Sequence, residues 1–304
     1  MNDLYKIDPN APTDERGYAF ISQQFRPSRG LFICNYPHDW ANRLKKHAET
    51  ILGSIEYLRF VDNLERLLRR SLLPDSGAYD DSRGWLSNAQ DTSSHIKAIL
   101  SIHSISPNVI GLHEALLDPN GLPDANGELV KQDAKEYVRI ARPLFQLSPK
   151  VVLIDQHFRL RRLWRGKDNE TSTKHHRGYR RSLETFLVAA AREGRTKVLR
   201  VKCSVRHALE ASNIEDFESD LETVKANARR QECDVSALEL EYDFFSDDPE
   251  SAHSSDLHAR YVLGNGMGLH FDHGLDEKTG KQPNHVRWIE ESVLGKLLDD
   301  HFDD

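Results

Sequence analysis

Cysteine is scarce in this chain. Cys34, Cys203 and Cys233 are scattered and form no CxxC pair. That spacing excludes a zinc knuckle and a disulfide framework, and it predicts a reducing compartment. Long apolar runs are also missing, and none approaches the roughly 20 residues of a membrane span. The first residues, MNDLYKIDPNAPTDERG, are polar and acidic. They lack the basic start and apolar core of a secretory signal, so the reading is a cytoplasmic protein with a flexible lead. There is no basic excess either. The net charge is −7, which argues against coating nucleic acid with the whole surface but leaves room for a local basic patch. Neither a Walker A loop nor GxGxxG occurs, so no nucleotide cradle is expected. No internal repeat or low-complexity tract is present.

What is present is enough apolar residue, 38% against 29% charged, to build a packed core. From Trp40 to Leu73 apolar residues recur at three- and four-residue steps, which predicts helix. GLFICNYP, at 30–37, reads as a strand or an extended docking segment. ELVKQDAKEYVRIARPLF, ending at Phe145, reads as a helix. After Pro149 the pattern alternates. KVVLIDQHF, KVLRVKC and ALELEYDFF are β-branched or aromatic runs typical of buried strands. SLETFLVAAARE and FESDLETVKANARRQ are helical, the second with acids early and bases late, as the helix dipole favours. HVRWIEESVLGKLLDDHF reads as a closing helix. The sequence therefore predicts an α/β protein: a mostly helical domain at 1–147 and an α/β layered domain at 148–304.

The stretch LHARYVLGNGMGLHFDHGLDE, at 257–277, reads as a β-hairpin. Matching its apolar faces favours an odd-numbered loop, 265–267 or 264–268, which pairs Tyr261 with Phe271 and Arg260 with Asp272. A two-residue Asn265-Gly266 turn would mix the faces. HFDH within it does not predict a metal, because His270 and His273 would splay to different faces. No metal and no cofactor is expected.

A second constellation lies at the end of KVVLIDQHF. Asp155 and His157 sit where open α/β sheets gather ligands, at the carboxyl ends of strands, and strand periodicity would point both the same way. The alternative is that Asp155 caps the next turn and His157 is incidental. The segment that follows, 157–181, holds nine Lys/Arg against two Asp/Glu, interleaved with Phe158, Trp164 and Tyr179. Bases with aromatics suit phosphate backbones, single-stranded bases or anionic headgroups. Its contact candidates are Arg159, Arg161, Arg162 and Arg165, then Arg177, Arg180 and Arg181. Read blandly, the segment is a solvated surface loop.

The hairpin resembles the phospholipase D superfamily, whose signature is HxK, four residues, then Asp. Here the match is His258-x-Arg260, then four residues, then Asn265. The later portion, GLHFDHGLDE, is similar to the carboxy-terminal phospholipase-D-like domain of proteins bearing a microtubule-interacting-and-transport domain, through His258, Arg260, Gly274, Leu275 and Asp276. Ala259 departs from that branch's acidic residue. The resemblance covers 148–304. It implies an α/β half-domain in which a histidine attacks a phosphodiester, a lysine steadies the phosphate and a second histidine protonates the leaving group. Such sites need two motif copies, so a one-copy chain would act as a homodimer.

His258, Arg260, Asn265 and Asp276 are thus the candidate catalytic residues. Arginine can hold a phosphate bidentately, but it replaces the usual lysine, and Asn265 replaces the aspartate. These departures favour a degenerate site that binds a phosphate ligand, nucleic acid first. A homodimeric nuclease is one alternative. Binding of anionic membrane lipid, as in the non-enzymatic branch, is another. Related domains occur in prokaryotic defence systems, which extends the resemblance to that setting. The amino-terminal helices carry no evident chemistry and could dock a second copy or a partner protein.

Overall fold

A computed structural model describes residues 2–91, 95–118, 122–165, 171–231, 234–245, 260–278 and 283–302. The protein is α/β and divides into two compact units, Met1–Asn126 and Gly127–Asp304. No helix among the described residues is long and apolar enough to cross a membrane.

The first unit is built on a five-stranded parallel sheet. Its strands are β1 (Asp3–Ile7), β2 (Leu31–Asn35), β3 (Leu72–Pro74), β4 (Ala98–Ser101) and β5 (Val109–Gly111), in the spatial order β3-β2-β1-β4-β5. Helices α1 (Glu15–Gln24), α2 (Trp40–Ile51), α3 (Ser54–Arg70), α4 (Trp85–Asp91) and α5 (Leu112–Leu117) connect or follow them. The helices expected from Trp40 onward are α2 and α3, and GLFICNYP forms β2.

The unit is rich in helix, as the sequence predicts, but its helices are arranged around a parallel sheet that the sequence pattern does not predict. The residues expected to be a flexible lead form β1, the central strand, with Tyr5, Lys6 and Ile7 at 1% exposure or less. Lys6 disguises the strand in the sequence. It is buried because Asp75 pairs with its ammonium at 3.3 Å and the Tyr36 ring lies 3.7 Å away, and buried charges are tolerated only when paired in this way.

The second unit begins earlier than residue 148. Strand β6 (Gly127–Val130) and helix α6 (Ala134–Leu147) belong to it, because β6 completes its sheet and α6 packs on that sheet. β7 (Lys150–Ile154) follows, then an antiparallel pair, β8 (Arg161–Arg165) and β9 (Thr171–His175). Helix α7 (Arg177–Glu193) leads to β10 (Val198–Ser204), and α8 (Val205–Ala208) and α9 (Ile214–Arg229) lead to β11 (Glu239–Phe245). The hairpin is β12 (Arg260–Gly264) and β13 (Met267–Phe271). The expected closing helix splits into β14 (Asn284–Trp288) and α10 (Glu291–His301).

The seven-stranded sheet runs β11-β10-β7-β12-β13-β14-β6. β11, β10 and β7 are parallel, and from β12 onward each neighbour is antiparallel.

The hairpin register differs from expectation. The turn is the two-residue Asn265-Gly266, with Gly266 at φ 74°, so Arg260 pairs with Phe271 and Tyr261 with His270. Face matching misleads here because helices cover both faces of the sheet, so neither face needs to be polar. On one face α6 packs against β12 and β13: Tyr137 meets Phe271 edge-on at 5.2 Å, and a Cβ on Gly264 would strike Leu144. On the other, Leu263 joins Ile289, Leu294 and Leu297, and Gly268 is small because a Cβ there would strike Ile289 and Leu294.

Candidate nucleic-acid interface

Tyr261 pairs with Ile154, so Arg260 and Asp155 meet one step further along, at the carboxyl edge of β7. Asp155 is 1% exposed. Its oxygens accept from the backbone N–H groups of Leu275 and His157, both at 2.9 Å, and from the Tyr179 hydroxyl at 3.1 Å. Arg260 Nε lies 3.9 Å from it, and Arg260 Nη1 donates to the Asp272 carbonyl at 3.4 Å. Burial pushes the Asp155 pKa up, against the two backbone hydrogen bonds and the Arg260 charge. Burial and the neighbouring Asp155 hold the Tyr179 phenol well above its ordinary value.

Asp155 therefore caps a turn and ties three segments together. His157 does not converge with it: only its backbone reaches Asp155, while its ring stands edge-on to His207 at 4.5 Å. The expected partner of Arg260, the Asp272 carboxylate, instead lies 3.3 Å from His270 and 3.5 Å from His285.

The loop after β13 closes this knot. Asn284 accepts from His273 N–H at 2.9 Å and donates back to the His273 carbonyl, and the Tyr137 hydroxyl donates to the Gly274 carbonyl. A Cβ on Gly274 would lie 2.8 Å from Asp276, 3.0 Å from the Tyr179 hydroxyl and 3.2 Å from Asp155, so only glycine fits among them. Asp276 is 3% exposed and pairs with Lys278 at 3.0 Å.

Of the four candidate catalytic residues, Arg260 and Asp276 are thus brought to one place. Asn265 is not. It lies in the turn at the far end of β12, roughly 16 Å away at strand rise, where its N–H donates to Ser148 Oγ. His258 lies outside the described residues.

The basic segment is not a loop. β8 and β9 form a two-stranded ribbon outside the main sheet. Register puts Arg162 opposite Lys174 and Trp164 opposite Ser172, so these four share one face. The Lys174 ammonium sits over the Trp164 ring at 4.4 Å, and Arg162 approaches it at 5.6 Å. Leu163, on the opposite face, is also exposed.

An isolated hairpin is marginal in water, and this one is fastened at its root. Arg161 is held by Asp220 at 2.8 Å and Asp216 at 3.0 Å, both on α9. Those partners, the Asp220 hydrogen bond first, raise the Arg161 pKa. Asp220 also takes Arg180 at 3.3 Å.

A groove of about 880 Å³ opens between the ribbon and the start of α7. Arg162, Trp164 and Lys174 line one wall, and Arg177, Asp276 and Lys278 the other. Gly178 lets α7 approach this closely, since a Cβ there would lie 2.5 Å from the Glu277 carbonyl. His176 caps α7, its Nδ1 accepting from Tyr179 N–H at 3.4 Å, and burial lowers its pKa.

The candidate arginines divide into two groups. Arg159 pairs with Glu210, Arg161 and Arg180 with α9, and Arg181 with Glu277. Arg162 and Arg177 are exposed with no ion pair among the described residues, as is Lys174. The Arg165 backbone pairs with Thr171, and its side chain lies outside what is described.

No protein-family model matches the chain, and no curated protein matches it. Among solved structures it is similar to TrmBL2, described as an archaeal chromatin protein with a novel mode of DNA binding. The identity is 13%, over 61% of this chain and 54% of that one, with a TM-score of 0.29. The match thus spans about half of that protein's length, and at this TM-score it carries no argument about fold or ligand.

Lys174, His176, Lys278 and Asp220 are site residues that reading by motif passes over. Asp220 left a signal, because it falls among Phe217, Leu221 and Val224 on the buried face of α9. A lone carboxylate on an apolar helix face implies a buried partner. Chemically, the knot offers an arginine already engaged by a carboxylate, whereas the groove offers outward cations beside an exposed indole.

Proposed function

We propose that the protein binds nucleic acid through the β8–β9 ribbon and the groove at its root. The observation that carries this reading is the exposed face of Arg162, Trp164 and Lys174 on a fastened ribbon, in a chain whose net charge is −7. Cations held outward with an aromatic between them match the two parts of nucleic-acid affinity, phosphate neutralisation and base stacking. The basic lining continues into a second groove of about 1090 Å³ along α7, with Lys135, Arg177, Arg181 and Arg192. On this reading the second unit is a phospholipase-D-like module whose site is degenerate. Arg260, in the place of the phosphate-steadying lysine, is taken up by Asp155.

The test is binding of labelled DNA and RNA across a salt series. The expected result is affinity that falls steeply with salt. Joint replacement of Arg162, Lys174 and Arg177 by alanine should flatten the log–log salt slope by about 2–3, at roughly 0.7–0.9 for each phosphate no longer neutralised. Salt-independent binding, or an unchanged slope in the triple variant, would overturn the reading.

Phosphodiester hydrolysis with His258 as nucleophile is the second reading, favoured by the gathering of Arg260 and Asp276 beside the groove. It appears in the same assay as cut strand that is lost in His258→Ala.

A further inference from the structure

We propose that the groove seats a single strand of nucleic acid, with a base stacked on Trp164. This rests on the nucleic-acid reading above and narrows it to unpaired nucleotides.

The argument begins with the ribbon's side chains. A ribbon that reads duplex DNA enters the major groove and presents hydrogen-bonding groups to base edges. Here the groove face of the ribbon carries Trp164 at 43% exposure. Such a group gains from covering base faces, not from reading base edges. Placement gives the second step. The ribbon is one wall of the groove and the first turn of α7 with residues 276–278 is the other. A ribbon that already walls a groove on its own protein is not a free finger for a duplex to surround. Cations stand on both walls, Arg162 and Lys174 facing Arg177, while Lys278 is taken up by Asp276. The acids between them are already partnered, Asp276 by Lys278 and Glu277 by Arg181. Opposed cations with one indole suit a phosphate track with a base laid against the ring, and stacking is tolerant of sequence because every base has a π-face.

The chain supplies its own probe. Of its four tryptophans, Trp40 and Trp288 are at 1% exposure or less and Trp85 is at 9%, against 43% for Trp164. A fluorescence change on adding strand therefore reports mainly on Trp164.

The experiment titrates the full chain with an oligothymidylate of about 15 nucleotides, long enough for a single-strand site, and with a self-complementary hairpin duplex of equal phosphate number. Tryptophan emission and anisotropy of a labelled strand are followed together. The expected result is saturable quenching by the single strand and weaker binding of the duplex at matched salt. Trp164→Ala should lose the quench and weaken single-strand binding by roughly 5- to 150-fold. Trp164→Phe should lose the quench but keep most of the affinity, because phenylalanine still stacks. Circular dichroism confirms that both variants fold. Duplex binding as tight as single-strand binding, or unquenched emission at saturation, would overturn the single-strand inference and leave nucleic-acid binding standing. Failure of both nucleic acids to bind would overturn both, and so would emission changes driven only by anionic vesicles.

Discussion

The knot around Asp155 and the ribbon that follows it in sequence are both rich in charge, yet their charges face opposite ways. In the knot, Asp155 accepts from Leu275, His157 and Tyr179 and lies 3.9 Å from Arg260, and hardly any of the carboxylate reaches solvent. In the ribbon, Arg162 and Lys174 stand exposed beside an indole, and the internal pairs are confined to the root at Arg161. Of the residues that carry the motif resemblance, Arg260 and Asp276 lie in the knot. The residues with only a compositional signal are the ones available to a ligand. The motif resemblance and the outward-facing cations fall on different residues, and they meet at Asp276, which belongs to the knot and also lines the groove.

Asp155→Ala would break the comparison most sharply. It removes the acceptor of three hydrogen bonds and the counter-ion of Arg260, and losing one partner of a buried pair costs about 3–5 kcal/mol. Urea denaturation should show that loss, while the fraction that remains folded keeps its affinity for nucleic acid. The ribbon triple variant should do the reverse, lowering affinity with little effect on stability, since exposed cations contribute little to folding. If both variants changed stability and affinity together, the division between knot and ribbon would be false.

Asp220→Asn tests the boundary between the two. Asp220 is 4% exposed and anchors Arg161 of the ribbon and Arg180 of α7. Hydrogen bonds to charged groups contribute about 1.5–3 kcal/mol, so the loss of stability should fall at or below that range, since asparagine keeps one acceptor. The ribbon should also loosen. Hydrogen exchange should rise at β8 and β9 more than at β7, and nucleic acid should dissociate faster. Equal exchange in both places would mean that Asp220 supports the core alone.

How much of this was legible in the sequence differs between the two units. In the second, KVVLIDQHF and KVLRVKC are strands because each carries enough β-branched and other apolar residues to be buried, whereas ALELEYDFF forms a half-buried edge strand, and the place of Asp155 at a carboxyl edge followed from the first of these. The hairpin register did not follow, because Arg260 and Phe271 share a face and only the covering helices make that tolerable. Asn265 matches the motif by spacing, yet the two-residue turn carries it to the wrong end of the sheet. In the first unit the strands are only three to five residues long; GLFICNYP declares β2, but β1, β3 and β5 are too short or too mixed for periodicity to show. The central one is hidden by Lys6, whose partner Asp75 is distant in sequence.

The smallest effect concerns pH and again separates fold from ligand. His176 caps α7 through its unprotonated Nδ1, and burial holds its pKa below the ordinary value near 6.5. Arg159 and Arg162 push the same way, and Asp276 opposes them. The unfolded chain therefore takes up a proton first as pH falls. The stability contributed by neutral His176 is complete above about pH 6.5 and is lost as pH drops through the lower folded value. His176→Asn keeps a capping oxygen, since asparagine is a good N-cap, but removes the titration. Denaturation midpoints measured between pH 7.5 and 5.5 should fall less steeply in the variant. Some slope should remain, because burial also lowers the pKa of His270. An unchanged slope would mean that protonation of His176 is not linked to folding.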